Sequence, residues 1–340
     1  MTVFSGVIKD GALKGLRTAR MLLTIMIPIY LGVVLVQHTS LYYWFAEMTL
    51  PVMRIFGLPG DAVLPVITGF FADEYAVVAA LSGFSFSKAE VTVIAMIILC
   101  LHGVPVETVI TKKIGMPAGR IVLFRLGLAV MTGITAGWLA SVFLGGNAPE
   151  FPLPGGAGGG AAAPGFVSYK GTVFDVGWDQ ILPEMGLGTL TMVFNVLRII
   201  FPLMIGIELM LVYHIVEKLA EKLKLFCRLL DIAEEALLPL LVGLLLGVTY
   251  GAGVLAELNR TRQLDKRNMA LLGVFLFSCH GILEMTYLFS VANASIAFVS
   301  GLRLGIAIAV TAIAARTVFR KKPKNARMKT SNDSFFHSKI

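Results

Sequence analysis

The sequence predicts an all-α polytopic membrane protein built from two inverted repeats, each with three spanning helices, one re-entrant hairpin and an amphipathic interfacial helix. Hydrophobic residues make up 56% of the 340 residues and charged residues only 15%, below the roughly one quarter that is charged in soluble domains. Several apolar runs reach the length of about 20 residues that spans a bilayer. The runs are 21–36, 91–106, 121–144, 196–216, 236–256 and 269–315.

An internal duplication predicts the two repeats. At an offset of 174 residues, and of 178 further along, one half of the chain aligns with the other. The matching pairs are MIPIYLG (26–32) with IFPLMIG (200–206), His102–Gly103 with His280–Gly281, and RLGLA (125–129) with RLGIA (303–307). The change of offset corresponds to a short insertion near residues 244–247.

The duplication divides the chain into four parts. The first repeat is 1–144 and the second, inverted repeat is 186–319. Between them, 145–185 is a Gly/Pro-rich external linker that ends in a short interfacial helix, with Trp178 at headgroup depth. The segment 320–340 is a basic cytoplasmic tail.

The sequence predicts the same order of elements in each half. A basic amphipathic lead-in precedes a first span, which is followed by an amphipathic stretch, a segment broken by Pro and Gly, and two further spans. In the first half these elements are 21–37, 41–57, 62–83, 89–111 and 120–144. In the second half they are 196–216, 217–233, 236–257, 268–290 and 298–319.

Loop charges orient the helices, because basic loops stay in the cytoplasm. The loops 112–120 and 259–267 are basic, whereas 145–190 carries four acids against one lysine. The loops reach these sides of the membrane only if segments 62–83 and 236–257 each enter the membrane and leave it on the same side. Each half then has three spans, so the second half is inverted. The alternative, four full spans per half, would place loops 112–120 and 145–190 on the sides of the membrane that their charges disfavour.

Composition and charge also limit where the protein can be located and which chemical activities it can have. We predict a multi-pass protein of the bacterial inner (plasma) membrane with both termini cytoplasmic. The net charge of +8 lies beside apolar spans, so no nucleic-acid partner is expected. Cys100, Cys227 and Cys279 lack the spacing of a disulfide framework or a metal cluster, and no HExxH, GxSxG or phosphate-loop motif occurs. We therefore predict no enzyme activity and no cofactor.

The two Pro/Gly-broken segments predict a substrate site at their tips. The first contains GFFADEYA (69–76), with Asp73 and Glu74 adjacent, and the second contains GVTYGAG (247–253). In transporters with inverted repeats, such broken helices meet near the midplane. The predicted substrate-binding residues are Asp73, Glu74, Thr249, Tyr250, Gly251 and Gly253. The alternative is that Asp73 and Glu74 cap a helix in a solvated loop.

Duplicated charges inside apolar segments are the second group of candidates. Glu107 and Arg125 each lie nine residues from Met116, so an antiparallel helix pair places them at equal depth. Glu284 and Arg303 lie opposite each other in the same way. Two interpretations stay open, a buried ion pair that sets the helix register and a direct role in substrate or proton binding.

Histidines and one further acid complete the candidates. His280 and Glu284 are four residues apart and share a helical face, whereas His102 and Glu107 need a kink, which Pro105 can provide. Glu208 has no acidic counterpart in the first half and is therefore a candidate for ion coupling. The sequence does not decide whether any of these residues bind a metal.

The combination of an amphipathic helix, a Pro/Gly-broken hairpin and an "HG…E" helix, present twice, resembles the nucleoside recognition (Gate) membrane family. That family includes spore maturation proteins A and B and the membrane domain of ferrous-iron permeases, and its layout is similar to that of concentrative nucleoside transporters. The resemblance implies interfacial helices, re-entrant hairpins and transport. The chain departs from the iron permeases in carrying no GTPase domain.

We therefore predict a permease for a small solute or ion, nucleoside-like or cationic, that works by alternating access between two re-entrant hairpin tips. The expected partners are the lipid bilayer and the small-molecule or ion substrate, and a homo-oligomer is left open. One alternative is a divalent metal (ferrous iron) permease. The other is a non-transporting membrane scaffold or recognition subunit.

Overall fold

The computed structural model describes residues 2–113, 117–150, 177–247 and 265–319, and their regular secondary structure is helical throughout. The first half contains α1 (Thr2–Gln37), α2 (Ser40–Met53), α3 (Val63–Phe71), α4 (Glu74–Ser82), α5 (Lys88–Leu101), α6 (Val104–Lys113) and α7 (Ala118–Phe143). The second half contains α8 (Trp178–Val212), α9 (Ile215–Lys222), α10 (Lys224–Leu230), α11 (Leu237–Leu246), α12 (Lys266–Ser278), α13 (Ile282–Phe289) and α14 (Ile296–Arg316).

Five helical stretches of the described residues are long and apolar enough to cross a membrane. They are Phe4–Gln37, Ala118–Phe143, Trp178–Val212, Lys266–Ala292 and Ile296–Arg316. A sixth forms if Trp44–Phe56 and Gly60–Phe71, which meet at a bend of 88°, count as one broken span. The prediction of an all-helical, multi-pass membrane protein is therefore confirmed.

Helices α1 and α8, the first helices of the two halves, pack against each other in opposite directions. Gly11 lies against Ile205 and Gly188 lies against Tyr30, so residue numbers rise along one helix as they fall along the other. A Cβ atom on Gly11 would lie 2.8 Å from the Ile205 Cα atom. Glycine thus permits the close backbone approach that is typical of helices packed within membranes.

Helix α8 is longer than the sequence predicts. It begins at Trp178 and continues through Pro183 and Gly186 to Val212. The short interfacial helix that we predicted around Trp178 is therefore the first part of α8. The packing of Gly188 against α1 supports this N-terminal extension despite its helix-breaking residues.

Helices α3 and α4 form a hairpin within the predicted segment 62–83. Gly69 lies four residues before the turn at Asp73 and Val77 four residues after it. A Cβ atom on Gly69 would lie 2.8 Å from the Val77 Cγ2 atom, so the chain folds back on itself. Re-entry of this hairpin into the membrane stays a prediction. The second tip, with Thr249, Tyr250, Gly251 and Gly253, lies outside the described residues.

Each half also contains a helix that is broken at a His-Gly pair. Helix α5 ends before His102 and α6 begins after Gly103, whereas α12 and α13 are separated by Cys279, His280 and Gly281. Both glycines have φ 56°, in the left-handed region that glycine adopts without steric strain. The glycines therefore make the breaks. The kink that we predicted at Pro105 lies earlier, because proline is tolerated in the first turn of α6.

In both halves the break glycine donates a hydrogen bond to an earlier helix of its own half, α3 in the first and α11 in the second. The Gly103 N–H donates to the carbonyl of Gly69 at 2.9 Å and to that of Ala72 at 2.7 Å. The Gly281 N–H donates to the carbonyl of Gly243, on α11, at 3.0 Å. The first hairpin tip therefore sits directly on the first helix break.

Candidate metal centre

The two helix breaks bring His102 and His280 together. Their Nε2 atoms are 3.3 Å apart, and the two side chains are fully buried. The histidines occupy equivalent positions in the duplicated sequence. Equivalent residues of the two halves are therefore in direct contact.

Backbone contacts define the protonation pattern of both rings. His102 Nδ1 is 3.1 Å from the carbonyl oxygen of Ile98, and His280 Nδ1 is 2.7 Å from that of Leu276. A carbonyl oxygen only accepts hydrogen bonds, so each Nδ1 carries the hydrogen, and a neutral ring then presents a lone pair at Nε2. The two Nε2 lone pairs face each other. Donation from the second ring nitrogen to a backbone carbonyl is also the usual arrangement of metal-binding histidines.

Glu107 adds a carboxylate to the pair. Its Oε1 atom is 3.2 Å from His102 Nε2 and 3.6 Å from His280 Nε2. The three ligand atoms lie within 4.8 Å of one another. Two imidazoles and a carboxylate with open positions are a typical ligand set for divalent transition metals. This cluster, formed by His102, Glu107 and His280, is called the His–Glu centre below.

Arg125 anchors Glu107. Its Nη1 atom is 2.5 Å from the second carboxylate oxygen of Glu107, while Nε and Nη2 donate to the backbone carbonyls of Cys100 and His102 at 2.9 and 2.8 Å. The structure therefore places Glu107 and Arg125 together at the end of α5. In this position the ion pair both joins α6 to α7 and orients a carboxylate of the centre.

Arg303 makes only part of the equivalent set of contacts. Its Nη2 atom donates to the carbonyl of His280 at 3.1 Å, as Arg125 does to that of His102. The structure shows no ion pair between Arg303 and Glu284, both of which it describes. Glu284 instead accepts a hydrogen bond from the Tyr75 hydroxyl of the first half. The predicted Glu284–Arg303 pair is therefore absent.

Glu284 does not pair with Arg303 because it is shifted by one residue along its helix relative to Glu107. Glu107 lies four residues after Gly103, whereas Glu284 lies three residues after Gly281. One residue turns a helical side chain by about 100°. The position that corresponds to Glu107 is occupied by Met285.

The two acids at the first hairpin tip have different positions. Asp73 Oδ1 accepts the Ala76 N–H at 2.9 Å and so caps the N-terminus of α4, which is the capping alternative raised by the sequence. Glu74 is buried, and its Oε2 atom lies 3.8 Å from His102 Nε2. Glu74 therefore faces the His–Glu centre, and Asp73 does not.

The remaining candidates lie elsewhere or have other partners. Glu208 forms an ion pair with Lys14 between α8 and α1. His280 contacts Glu107 of the other half, although the sequence predicted a shared face with Glu284. The centre that results combines side chains from both halves, which the sequence analysis did not foresee.

Comparison with known proteins gives the following similarities. A family model described as Gate, nucleoside recognition, matches residues 19–118 and 193–294. The two matches start 174 residues apart, and each contains one of the two helix breaks. The chain is 28% identical over 317 residues to an uncharacterized membrane protein, YvoD, from Bacillus subtilis (strain 168), with 92% of this chain and 95% of that protein covered. No solved structure matches the chain.

Proposed function

This chain belongs to the nucleoside recognition (Gate) family of membrane proteins, and we propose that it transports a divalent transition-metal cation through the His–Glu centre. The proposal depends on one observation. Three buried ligand atoms, the Nε2 atoms of His102 and His280 and the Oε1 atom of Glu107, converge within 4.8 Å of one another.

Two Nε2 lone pairs that face each other at 3.3 Å repel unless a positive charge lies between them. Buried polar groups without partners are costly, and ionisable side chains inside a membrane protein usually mark a substrate or ion pathway. A cation bound by the three atoms satisfies both Nε2 lone pairs and adds a second positive partner to the Glu107 carboxylate, which Arg125 already pairs. Imidazole ligands favour zinc, iron, nickel or copper over the calcium and magnesium ions that oxygen ligands suit. The predicted nucleoside-like substrate has no equivalent demand for three converging acceptors.

The place of the centre supports transport rather than storage. His102 and Glu107 come from the first half and His280 from the second, so a bound cation touches both halves. A movement of one half relative to the other would then change the distances between the cation and its three ligand atoms. Alternating access around a fixed midplane site uses such movements in transporters with inverted repeats.

Two features support the inverted, re-entrant arrangement that this mechanism needs. The equivalent helices α1 and α8 run antiparallel, as two halves of opposite orientation require. The α3–α4 hairpin folds back at Asp73, and its tip contacts the helix break through the Gly103 N–H. With the basic loops in the cytoplasm, the hairpin enters and leaves the membrane on one side.

The experiment is a flux assay with purified protein in liposomes that contain a metal-sensitive dye. We expect Co²⁺, Zn²⁺ or Fe²⁺ to enter wild-type vesicles and the variants His102→Gln and His280→Gln to lose this flux. His38→Gln is a matched control, because His38 is also a buried histidine with Nδ1 on a backbone carbonyl, that of Val34 at 2.8 Å, but lies outside the centre.

The alternatives give different results in the same assay. Flux of nucleosides without flux of metals would contradict the proposal in favour of a nucleoside-like substrate. Absence of flux for all solutes, in vesicles where correctly folded protein is verified, would favour the non-transporting scaffold.

A further inference from the structure

Arg303 carries a buried positive charge that the described protein only partly satisfies. Its side chain is 1% exposed. Among the described residues, only its Nη2 atom donates hydrogen bonds, to the carbonyls of His280 and Leu99. Within the part of the chain that the structure describes, Nε and Nη1 have no hydrogen-bond partner. A buried charge without a counter-charge is strongly destabilising.

The duplicated residue Arg125 shows what is missing. Arg125 Nη1 contacts the Glu107 carboxylate at 2.5 Å, and the Nη1 atom of Arg303 has no hydrogen-bond partner among the described residues. The residue in the position of Glu107 is Met285, whose thioether carries no charge. The neighbouring Glu284 is already bound by Tyr75.

The charges around the His–Glu centre also indicate that a negative partner is missing beside Arg303. Glu107 and Arg125 form a buried pair whose charges cancel, whereas Arg303 is buried with no carboxylate against it among the described residues. A divalent cation bound by His280 adds further positive charge near Arg303, which donates to the His280 carbonyl. A monovalent anion on Arg303 offsets part of this charge.

We propose that Arg303 binds a small monovalent carboxylate-type anion, which accompanies the cation into the centre and occupies the position that the Glu107 carboxylate has on Arg125. This inference rests on the proposed function, because the cation supplies the excess charge that the anion balances. It narrows the substrate from a bare divalent metal to a metal together with a small carboxylate or a similar oxyanion. Arginine suits this role, since its guanidinium stays charged and matches carboxylate oxygens.

The test measures Co²⁺ binding to the purified full chain by visible absorption and equilibrium dialysis. The buffer contains only a bulky sulfonate as its anion, and formate is then added. We expect formate to lower the apparent Kd for Co²⁺ about tenfold, a change that corresponds to about 1.4 kcal/mol. An unchanged Kd would overturn the inference.

Variants at the two key positions separate a bound anion from a general salt effect. Met285→Glu supplies a tethered carboxylate at the position equivalent to Glu107, so we expect it to bind Co²⁺ tightly without formate and not to respond to it. Met285→Gln, of the same size but uncharged, should keep the response, and Arg303→Gln should lose it. A Met285→Glu protein that responds to formate as wild type does would contradict the inference, even if Arg303→Gln fails to fold.

The outcomes also separate this inference from the function on which it rests. Absence of Co²⁺ binding under every anion would overturn the proposed metal transport and the anion site together. Co²⁺ binding that formate leaves unchanged would overturn the anion site alone.

Discussion

His102 and His280 meet with 3.3 Å between their Nε2 atoms, and each ring holds its Nδ1 hydrogen on the carbonyl four residues earlier in its own helix. Two equivalent residues therefore contribute equal ligands from opposite halves. The carboxylate comes from one half only, because Glu107 has Met285 as its counterpart. The centre is thus symmetric in its nitrogen atoms and asymmetric in its charge.

Metal binding should stabilise the protein through the two histidines. A ligand at 100 times its Kd stabilises the folded state by about 2.7 kcal/mol. We expect Co²⁺ or Zn²⁺ to raise the Tm of the wild type and of the control His38→Gln in detergent. His280→Gln should lose most of this rise, because one of three ligand atoms is removed. An equal rise in His280→Gln and wild type would place the metal elsewhere.

The Glu107–Arg125 ion pair should show strong coupling in a double-mutant cycle. Removing one partner of a buried pair costs about 3–5 kcal/mol, since it leaves the other charge uncompensated. We expect Glu107→Gln to be strongly destabilising and the double variant Glu107→Gln/Arg125→Gln to recover much of the loss, measured by thermal unfolding. The double variant of Glu284 and Arg303 is the matched control, because these residues form no pair and their effects should add.

The left-handed glycine at the first helix break should be required for the centre. Gly103 has φ 56°, and a residue with a Cβ atom costs about 1–2 kcal/mol in this conformation. We expect Gly103→Ala to lower both the Tm and the Co²⁺ affinity, because the break orients His102. Gly32→Ala is the control, since Gly32 lies within α1 and a Cβ atom there meets nothing within 4 Å. Similar effects of both variants would argue against a special role for the break.

The sequence predicted the parts of this fold that depend on composition and duplication. Apolar length predicted the spanning helices, the matched segments predicted two halves, and the loop charges predicted that 62–83 folds back. Equal distance from Met116 placed Glu107 opposite Arg125. These features follow from local pattern or from the geometry of one helix pair.

Contacts between the two halves could not be predicted from such local patterns. That His102 meets His280 depends on how the two halves pack against each other, which no spacing within one half reveals. The partner of Glu284 is Tyr75, 209 residues away, and a one-residue shift relative to Glu107 decides it. The repeated His-Gly pair was the available signal.

The topology should be measurable by cysteine labelling in a background without native cysteines. Arg120→Cys lies in the first turn of α7, at the end of the basic segment 112–120, and Glu150→Cys lies in the acidic region that follows α7; both positions are exposed. The charge rule predicts a cytoplasmic site for the first and an external site for the second. An impermeant maleimide should label only Glu150→Cys from outside. Labelling of Arg120→Cys from outside would contradict the inverted arrangement.

The two acids at the first hairpin tip should differ in their effects on substrate. Glu74 is buried with its Oε2 atom 3.8 Å from His102 Nε2, close enough to complete the ligand set or to add negative charge beside it. Electrostatic attraction is strong where the local dielectric is low, so Glu74→Gln should weaken Co²⁺ binding and slow flux. Asp73 caps α4 through the Ala76 N–H.

Asparagine caps helices about as well as aspartate, so Asp73→Asn should leave both stability and metal affinity close to wild type. Paired Co²⁺ titrations and flux assays on the two variants check this difference. The structure thereby separates two acids that the sequence treated as one site. Equal loss in both variants would restore the original interpretation, in which the hairpin tip as a whole binds the cation. Loss in Asp73→Asn alone would place the substrate on the exposed side of the tip, away from His102.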